Sequence, residues 1–226
     1  MPEIRVEREV LEKNDIAAEE VRDRFGRLRT YVIDLMASPG SGKTSFILAT
    51  AGALGDRYKI GVIEGDIASE VDTDNIRAHG TDAVQINTGG MCHLDSTMID
   101  RAMDKLPAPR YDLVIIENVG NLVCPAAFDL GQHIKVVILS IPEGDDKPLK
   151  YPGIFTESSV LVLNKIDMLG ATDFDEQRVR SHVAKLNPAM EIFPMSCVTG
   201  EGVEPWTSWL AGQIDRWTSA EPGQDG

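Results

Sequence analysis

Cysteine is scarce and scattered in this chain: the 226 residues hold three, Cys92, Cys124 and Cys197. An odd, low count excludes a disulfide framework, and thiols that stay reduced are free to bind metal. Positive charge is also in deficit. Lys and Arg number 22 against 36 Asp and Glu, a formal net charge of −14, which argues against electrostatic capture of nucleic acid or of an anionic lipid surface. No run approaches the roughly 20 apolar residues that a membrane helix needs. Residues 1–15, MPEIRVEREVLEKND, are charged throughout and lack the apolar core of a secretory signal, so the expected compartment is the cytoplasm. There is no internal repeat and no low-complexity linker. One domain over residues 1–218 is expected, with a polar tail from Ser219 to Gly226 that is expected to be disordered.

What the chain does carry is the segment Ala37-Ser-Pro-Gly-Ser-Gly-Lys-Thr44, set between the apolar run Tyr31–Met36 and the helical stretch Ser45–Leu54. Such a turn points successive backbone N–H groups at a phosphate, and the helix N-terminus behind it adds partial positive charge. Pro39, Gly40, Ser41, Gly42, Lys43, Thr44 and Ser45 are therefore the phosphate-binding candidates. Lys43 is placed to bridge the terminal phosphates, and the Thr44 hydroxyl to hold Mg²⁺. The strict pattern has Gly where this chain has Ala37, so the approach to the loop is expected to differ slightly.

Further β-branched runs occur at Ile60–Glu64, Ala83–Ile86, Leu113–Glu117, Val136–Leu139, Val160–Leu163 and Ile192–Met195. Helical patterns lie between them at Asp72–His79, Leu94–Leu106, Asp175–Leu186 and Val203–Trp217, and Val6–Phe25 reads as an extra amphipathic helix on the outside. Strands alternating with helices call for an α/β, three-layer P-loop fold with a mostly parallel sheet, ligands gathering at the carboxyl ends of the strands. His79, His133 and His182 stand alone in polar contexts and read as surface residues. Trp206, Trp209 and Trp217 fit the inner face of a last helix.

The base is read from Asn164-Lys-Ile-Asp167. A carboxylate at Asp167 accepts from both N1–H and the 2-amino group of guanine, whereas adenine would leave it unpaired at a cost of at least a few kcal/mol. Asn164 would brace the loop and the Lys165 stem would cover the base. Ser196, Cys197 and Val198 begin a small-residue loop suited to the guanine oxygen. For Mg²⁺, which takes hard oxygen ligands, Asp66 and Glu117 end strands on the same side. Glu117 opens a Glu-x-x-Gly segment whose Gly120 is placed to sense the terminal phosphate. Asp72 and Asp74 rank lower, as members of a mobile loop.

Met91-Cys-His-Leu94 and Asn121-Leu-Val-Cys-Pro125 supply softer ligands. Cys and His together select Zn²⁺, Ni²⁺ or a similar borderline ion over Mg²⁺. Cys92, His93 and Cys124 make three ligands, which leaves a position for exchange or for a second subunit. On spacing alone, buried thiols and an internally satisfied histidine remain the more ordinary reading.

Taken together, these segments resemble the HypB-type GTPases that help insert nickel into nickel–iron hydrogenases. The resemblance runs from about Asn14 to Trp209. It is carried by Ser38–Thr44, Glu64-Gly-Asp66, Thr88–Asp95, Glu117–Pro125 and Glu143–Pro152. It implies a SIMIBI-class GTPase, similar in fold to the signal-recognition and nitrogenase-iron-protein GTPases, binding GTP or GDP with Mg²⁺ and turning over slowly. It further implies a nucleotide-linked homodimer and a Ni²⁺ or Zn²⁺ site at Cys92, His93 and Cys124. The implied partners are hydrogenase maturation proteins and the hydrogenase large subunit. Lys147 or Lys150 is a candidate to act across such a dimer. No Cys or His precedes His79, so the Cys-rich or His-rich N-terminal segment of some members is absent from this sequence. A urease-type nickel GTPase, a small-molecule kinase and a metal-binding scaffold with structural nucleotide are the competing readings.

Overall fold

Runs of Val, Ile and Leu without polar alternation become strands buried on both faces, as a parallel sheet requires. In the computed structural model, which describes residues 6–66 and 71–219, these are β1 (Tyr31–Ala37), β2 (Ile60–Asp66), β3 (Asp82–Asn87), β4 (Leu113–Glu117), β5 (Ile134–Ser140), β6 (Val160–Asn164) and β7 (Glu191–Met195). They form one sheet in the order β3-β2-β4-β1-β5-β6-β7. Every pairing is parallel, so the sheet is more uniform than expected. The helices are α1 (Val6–Leu28), α2 (Lys43–Leu54), α3 (Val71–Ala78), α4 (Ser96–Met103), α5 (Lys147–Lys150), α6 (Pro152–Glu157), α7 (Glu176–Leu186) and α8 (Val203–Ser219).

The two-residue period of β1 sorts the layers. Ile33, Leu35 and Ala37 face one side, with Phe46 and Ile47 of α2, Ile76 of α3, and Trp206, Leu210 and Ile214 of α8. Val32 faces the other, against Val21 and Phe25 of α1 and Ile99 and Ala102 of α4. Met36 extends that second layer to Phe155 of α6 and Val179 and Val183 of α7. Each large apolar side chain removed from water contributes about 1.5–3 kcal/mol relative to exposure. Trp206 is fully buried and donates its indole N–H to Thr50 Oγ1 at 3.0 Å, a core residue as expected. On the outside, α1 is tied to α4 by Arg24, which reaches Asp100 at 2.7 Å and Asp104 at 2.6 Å. No helix among the described residues is long and apolar enough to cross a membrane.

Two expectations need correction. His133 is not a surface residue. Its ring stacks on Tyr31 at 4.7 Å and meets Trp217 edge-on at 4.2 Å, while its Nδ1 accepts from Val32 N–H at 3.0 Å. His182 is half-buried, and His79 alone of the three is exposed. Second, the charged stretch after β5, where no helical pattern was expected, contains α5 and α6. Their brevity and their prolines hide them from periodicity, and i,i+4 pairs Glu143–Lys147 at 3.9 Å and Asp146–Lys150 at 2.5 Å accompany α5. Of the expected tail, Ser219 closes α8 and residues 220–226 lie outside the described residues.

Candidate functional site

The carboxyl ends of β1, β2, β4 and β6 meet at one edge of the sheet. Ala37, where the strict pattern has glycine, is still strand and pairs with Ile138 of β5. The chain therefore leaves the sheet only at Ser38, and no glycine is needed before it. Gly40 and Gly42 then adopt φ of 76° and 97°, a region open to glycine at no steric cost. Helix α2 starts at Lys43, so its unpaired N–H groups and positive end face the loop. Thr44 is half-buried and Ser45 exposed on its first turn.

A cavity of about 250 Å³ opens between this loop and the ends of β2 and β4, lined by Lys43, Asp66, Asp72, Glu117 and Gly120 among others. Gly120 lies flush on the loop: a Cβ there would sit 3.0 Å from Pro39 Cγ and 3.2 Å from Pro39 N. Lys43 Nζ stands 3.8 Å from Glu117 Oε1. Register places Glu64 beside Glu117, and Glu64 accepts a hydrogen bond from Thr73 Oγ1. Burial pushes Glu117 up to about 8, helped by the charges of Glu64, Asp72 and Asp66 and opposed by Lys43. Its Oε2 is buried with no protein partner. An orphaned oxygen amid clustered carboxylates fits a hard divalent cation, so the residues present suit Mg²⁺. Asp72 belongs to this cavity despite its low rank, whereas Asp74 pairs on the surface with Arg77 at 3.2 Å.

The segment expected to read the base, Asn164–Asp167, is fastened to the phosphate loop. Asn164 is buried, and its Nδ2 donates to Ser41 O at 2.9 Å. Lys165 takes φ 63°, a conformation that costs a non-glycine residue about 1–3 kcal/mol. It is held there by its own N–H to Asn164 Oδ1 at 2.8 Å and by Nζ to Gly40 O at 2.7 Å. Asp167 is exposed and open to a base. Facing it, buried Ser196 accepts from the N–H groups of Val198 at 3.3 Å and Thr199 at 3.2 Å. Cys197 donates to Asn164 Oδ1 at 3.4 Å. Burial, then the Asp167 charge, push its thiol up to about 11, which suits a loop residue and not a ligand.

Cys92, His93 and Cys124 converge. Their ligand atoms all lie within 4.8 Å of one another, the one such group of three among the described residues. The two Sγ atoms are 2.9 Å apart, both as free thiols, and Cys92 Sγ is 3.6 Å from His93 Nδ1. The imidazole stacks on Phe128 with centroids 3.8 Å apart, and burial holds it below its ordinary value against the pull of Asp95. A neutral imidazole beside two thiols is the donor set of a borderline transition metal. The ordinary reading, buried thiols and an internally satisfied histidine, does not describe them: Cys92 is exposed and Cys124 half-buried.

Sequence reasoning missed the polar residues that join these parts: Glu64 and Thr73, and the buried trio Asp34, Asn118 and Lys135. The one available signal was a charged residue within or beside an apolar run, Asp34 inside Tyr31–Met36 and Lys135 directly before Val136–Leu139.

The sequence model of the CobW/HypB/UreG nucleotide-binding domain matches residues 31–194. The hydrogenase maturation factor HypB of Azotobacter vinelandii is 48% identical over 210 residues, covering 93% of this chain and 69% of the relative. Among solved structures, HypB from Helicobacter pylori in complex with nickel is similar with TM-score 0.86 and 39% identity, over 92% of this chain and 99% of that one. The signal recognition particle receptor FtsY from Elizabethkingia anophelis in complex with GDP reaches TM-score 0.54 at 16% identity, over 93% and 73%. That last likeness concerns the fold alone, an α/β architecture with a parallel sheet.

Proposed function

The chain belongs to the CobW/HypB/UreG family, as a HypB-type member, and on that premise we propose that it is a cytoplasmic GTP-hydrolysing metallochaperone for hydrogenase maturation. Its cargo is Ni²⁺, with Zn²⁺ accepted by the same ligands, and its nucleotide state controls homodimerisation and assembly of the metal site. Its partners are other maturation proteins and the hydrogenase large subunit. The observation that carries this reading is continuity. Glu117 lines the nucleotide cavity and Cys124 closes the ligand cluster, at the two ends of one eight-residue segment.

In GTP hydrolysis, water forms a bond to the γ-phosphorus as the bond to the bridging β-oxygen breaks, yielding GDP and phosphate. The phosphate loop N–H groups and Lys43 bind and neutralise the phosphate oxygens, and Asp167 orients guanine. Thr44, Asp66 and Glu117 are the residues to hold Mg²⁺, which when bound supplies further charge neutralisation. Among the described residues lining the cavity there is no Arg or Gln to stabilise charge or position water, so turnover of the isolated protein is slow. Gly120 abuts Pro39, and terminal-phosphate occupancy would move the segment that carries Cys124.

The test is a Ni²⁺ titration of reduced protein with GDP and with a non-hydrolysable GTP analogue, oligomer mass recorded in parallel. Affinities that differ between the two nucleotides are expected, and equal affinities refute the switch. Lys43→Ala should abolish phosphate release from GTP while leaving Cys92 and Cys124 able to bind metal. Phosphorylation of an added acceptor would point instead to a kinase.

A further inference from the structure

Asn118 follows Glu117 at the end of β4, and its side chain is fully buried. Every polar atom of that side chain is engaged. Oδ1 accepts from Val119 N–H at 3.0 Å and from Leu94 N–H at 3.2 Å, while Nδ2 donates to Asp34 Oδ1 at 3.0 Å. Val119 leads into Gly120, which rests on Pro39 of the phosphate loop. Leu94 comes directly after His93. One amide thus holds the backbone of both loops at once, across 24 residues of sequence.

Leu94 is gripped a second time. It is fully buried, and a Cβ added at Gly65 would lie 2.7 Å from its Cδ1. The leucine therefore sits on bare backbone between Glu64 and Asp66. The third ligand is fastened to the same strands. Lys135 is in register with Asp34 across β1 and β5, and its Nζ donates to Ala126 O at 2.7 Å, in the turn that Cys124 opens.

We infer that Asn118 is the positioning residue through which the nucleotide pocket sets the geometry of the Cys92–His93–Cys124 cluster, itself touching neither ligand. This rests on the proposal above that metal affinity depends on nucleotide state. An amide oxygen has two lone pairs, and here each serves a different loop. Moving Val119–Gly120 alters one bond and with it the hold on Leu94. By linkage, metal that pins Leu94 alters nucleotide affinity by the same factor.

The experiment is a Ni²⁺ titration of the full chain with GDP and with a non-hydrolysable GTP analogue, in wild type, Asn118→Ala and Gly65→Ala. Wild type should show affinities differing by roughly 5-fold or more between nucleotides, the usual range of such coupling. In Asn118→Ala that ratio falls toward one, although Ni²⁺ still binds and GDP affinity stays within about twofold, as expected for a residue that couples the two sites. A wild-type ratio of one overturns the proposed function itself. A wild-type ratio away from one that Asn118→Ala preserves overturns only the role of Asn118. Loss of GDP affinity in that variant would make Asn118 part of the nucleotide site and likewise overturn the inference. If circular dichroism shows Asn118→Ala unfolded, Gly65→Ala decides, since its Cβ would lie 2.7 Å from Cδ1 and 2.8 Å from Cγ of buried Leu94 and push that residue off the strand. Collapse of the ratio there supports the hub, and its preservation refutes it.

Discussion

Acidification should destabilise this protein through one residue far from the nucleotide, His133. Its Nδ1 accepts a hydrogen bond from Val32 N–H, a role open only to the neutral ring. Burial, with the nearby Arg22 charge, depresses it from 6.5 to about 4. Between those values the unfolded chain holds the proton and the folded chain does not, so stability rises with pH there. The contribution is complete above about 6.5 and is lost as pH falls toward 4. At roughly 1.4 kcal/mol per pH unit, the loss comes to about 3 kcal/mol. Asp34 and Glu117, raised to about 7 and about 8 chiefly by burial, act with the opposite sign, losing stability as pH rises. A variant separates the two. His133→Phe keeps the ring contacts to Tyr31 and Trp217 but orphans Val32 N–H, a pH-independent cost of about 1–3 kcal/mol. Denaturant unfolding of both proteins from pH 7 to pH 4 cancels the carboxyl terms in the difference. The wild-type advantage should shrink by about 3 kcal/mol across that window. Parallel profiles, or a His133 resonance titrating near its ordinary value, would refute the reasoning.

Replacing Asp167 by Asn removes a charged acceptor for guanine, and at about 1.5–3 kcal/mol the preference for GTP over ATP should fall roughly 10- to 150-fold. Competition binding checks it, and an unchanged preference would remove Asp167 from the base site. Cys124→Ala should weaken Ni²⁺ binding by more than the roughly 10-fold that losing an outer partner alone costs. Nucleotide affinity should hold, and unaltered metal affinity would mean the ions bind elsewhere. Gly120→Ala drives a Cβ to 3.0 Å from Pro39. A displaced phosphate loop should then slow GTP turnover roughly 10- to 100-fold, and wild-type rates would show that the two segments do not bear on one another.

The strands were legible because burial on both faces leaves an unbroken apolar run, and six of the seven expected cores fall within a strand whose ends extend it by a residue or two. β4 matches to the residue. The phosphate loop and the Asn164–Asp167 segment were legible because their chemistry is local in sequence. The ligand cluster was not, since Cys92 and Cys124 are 32 positions apart and no spacing rule joins them; resemblance supplied what periodicity lacked. Asp34, Asn118 and Lys135 escaped for a further reason. A polar residue on a strand or at its end reads as an interruption until its partners on neighbouring strands are known. His133 shows the converse, a residue with polar neighbours in sequence and aromatic ones in space.

Because Lys165 and Asn164 are tied to the carbonyls of Gly40 and Ser41, the proposed reader of the base and the proposed cradle of the phosphates form one mechanical unit. Nucleotide choice in this scaffold is therefore separable from phosphate capture only at positions such as Asp167, which stands outside those ties. Grafting a whole adenine-reading segment would unlace the cradle along with the old preference. A single-residue exchange leaves the lacing in place.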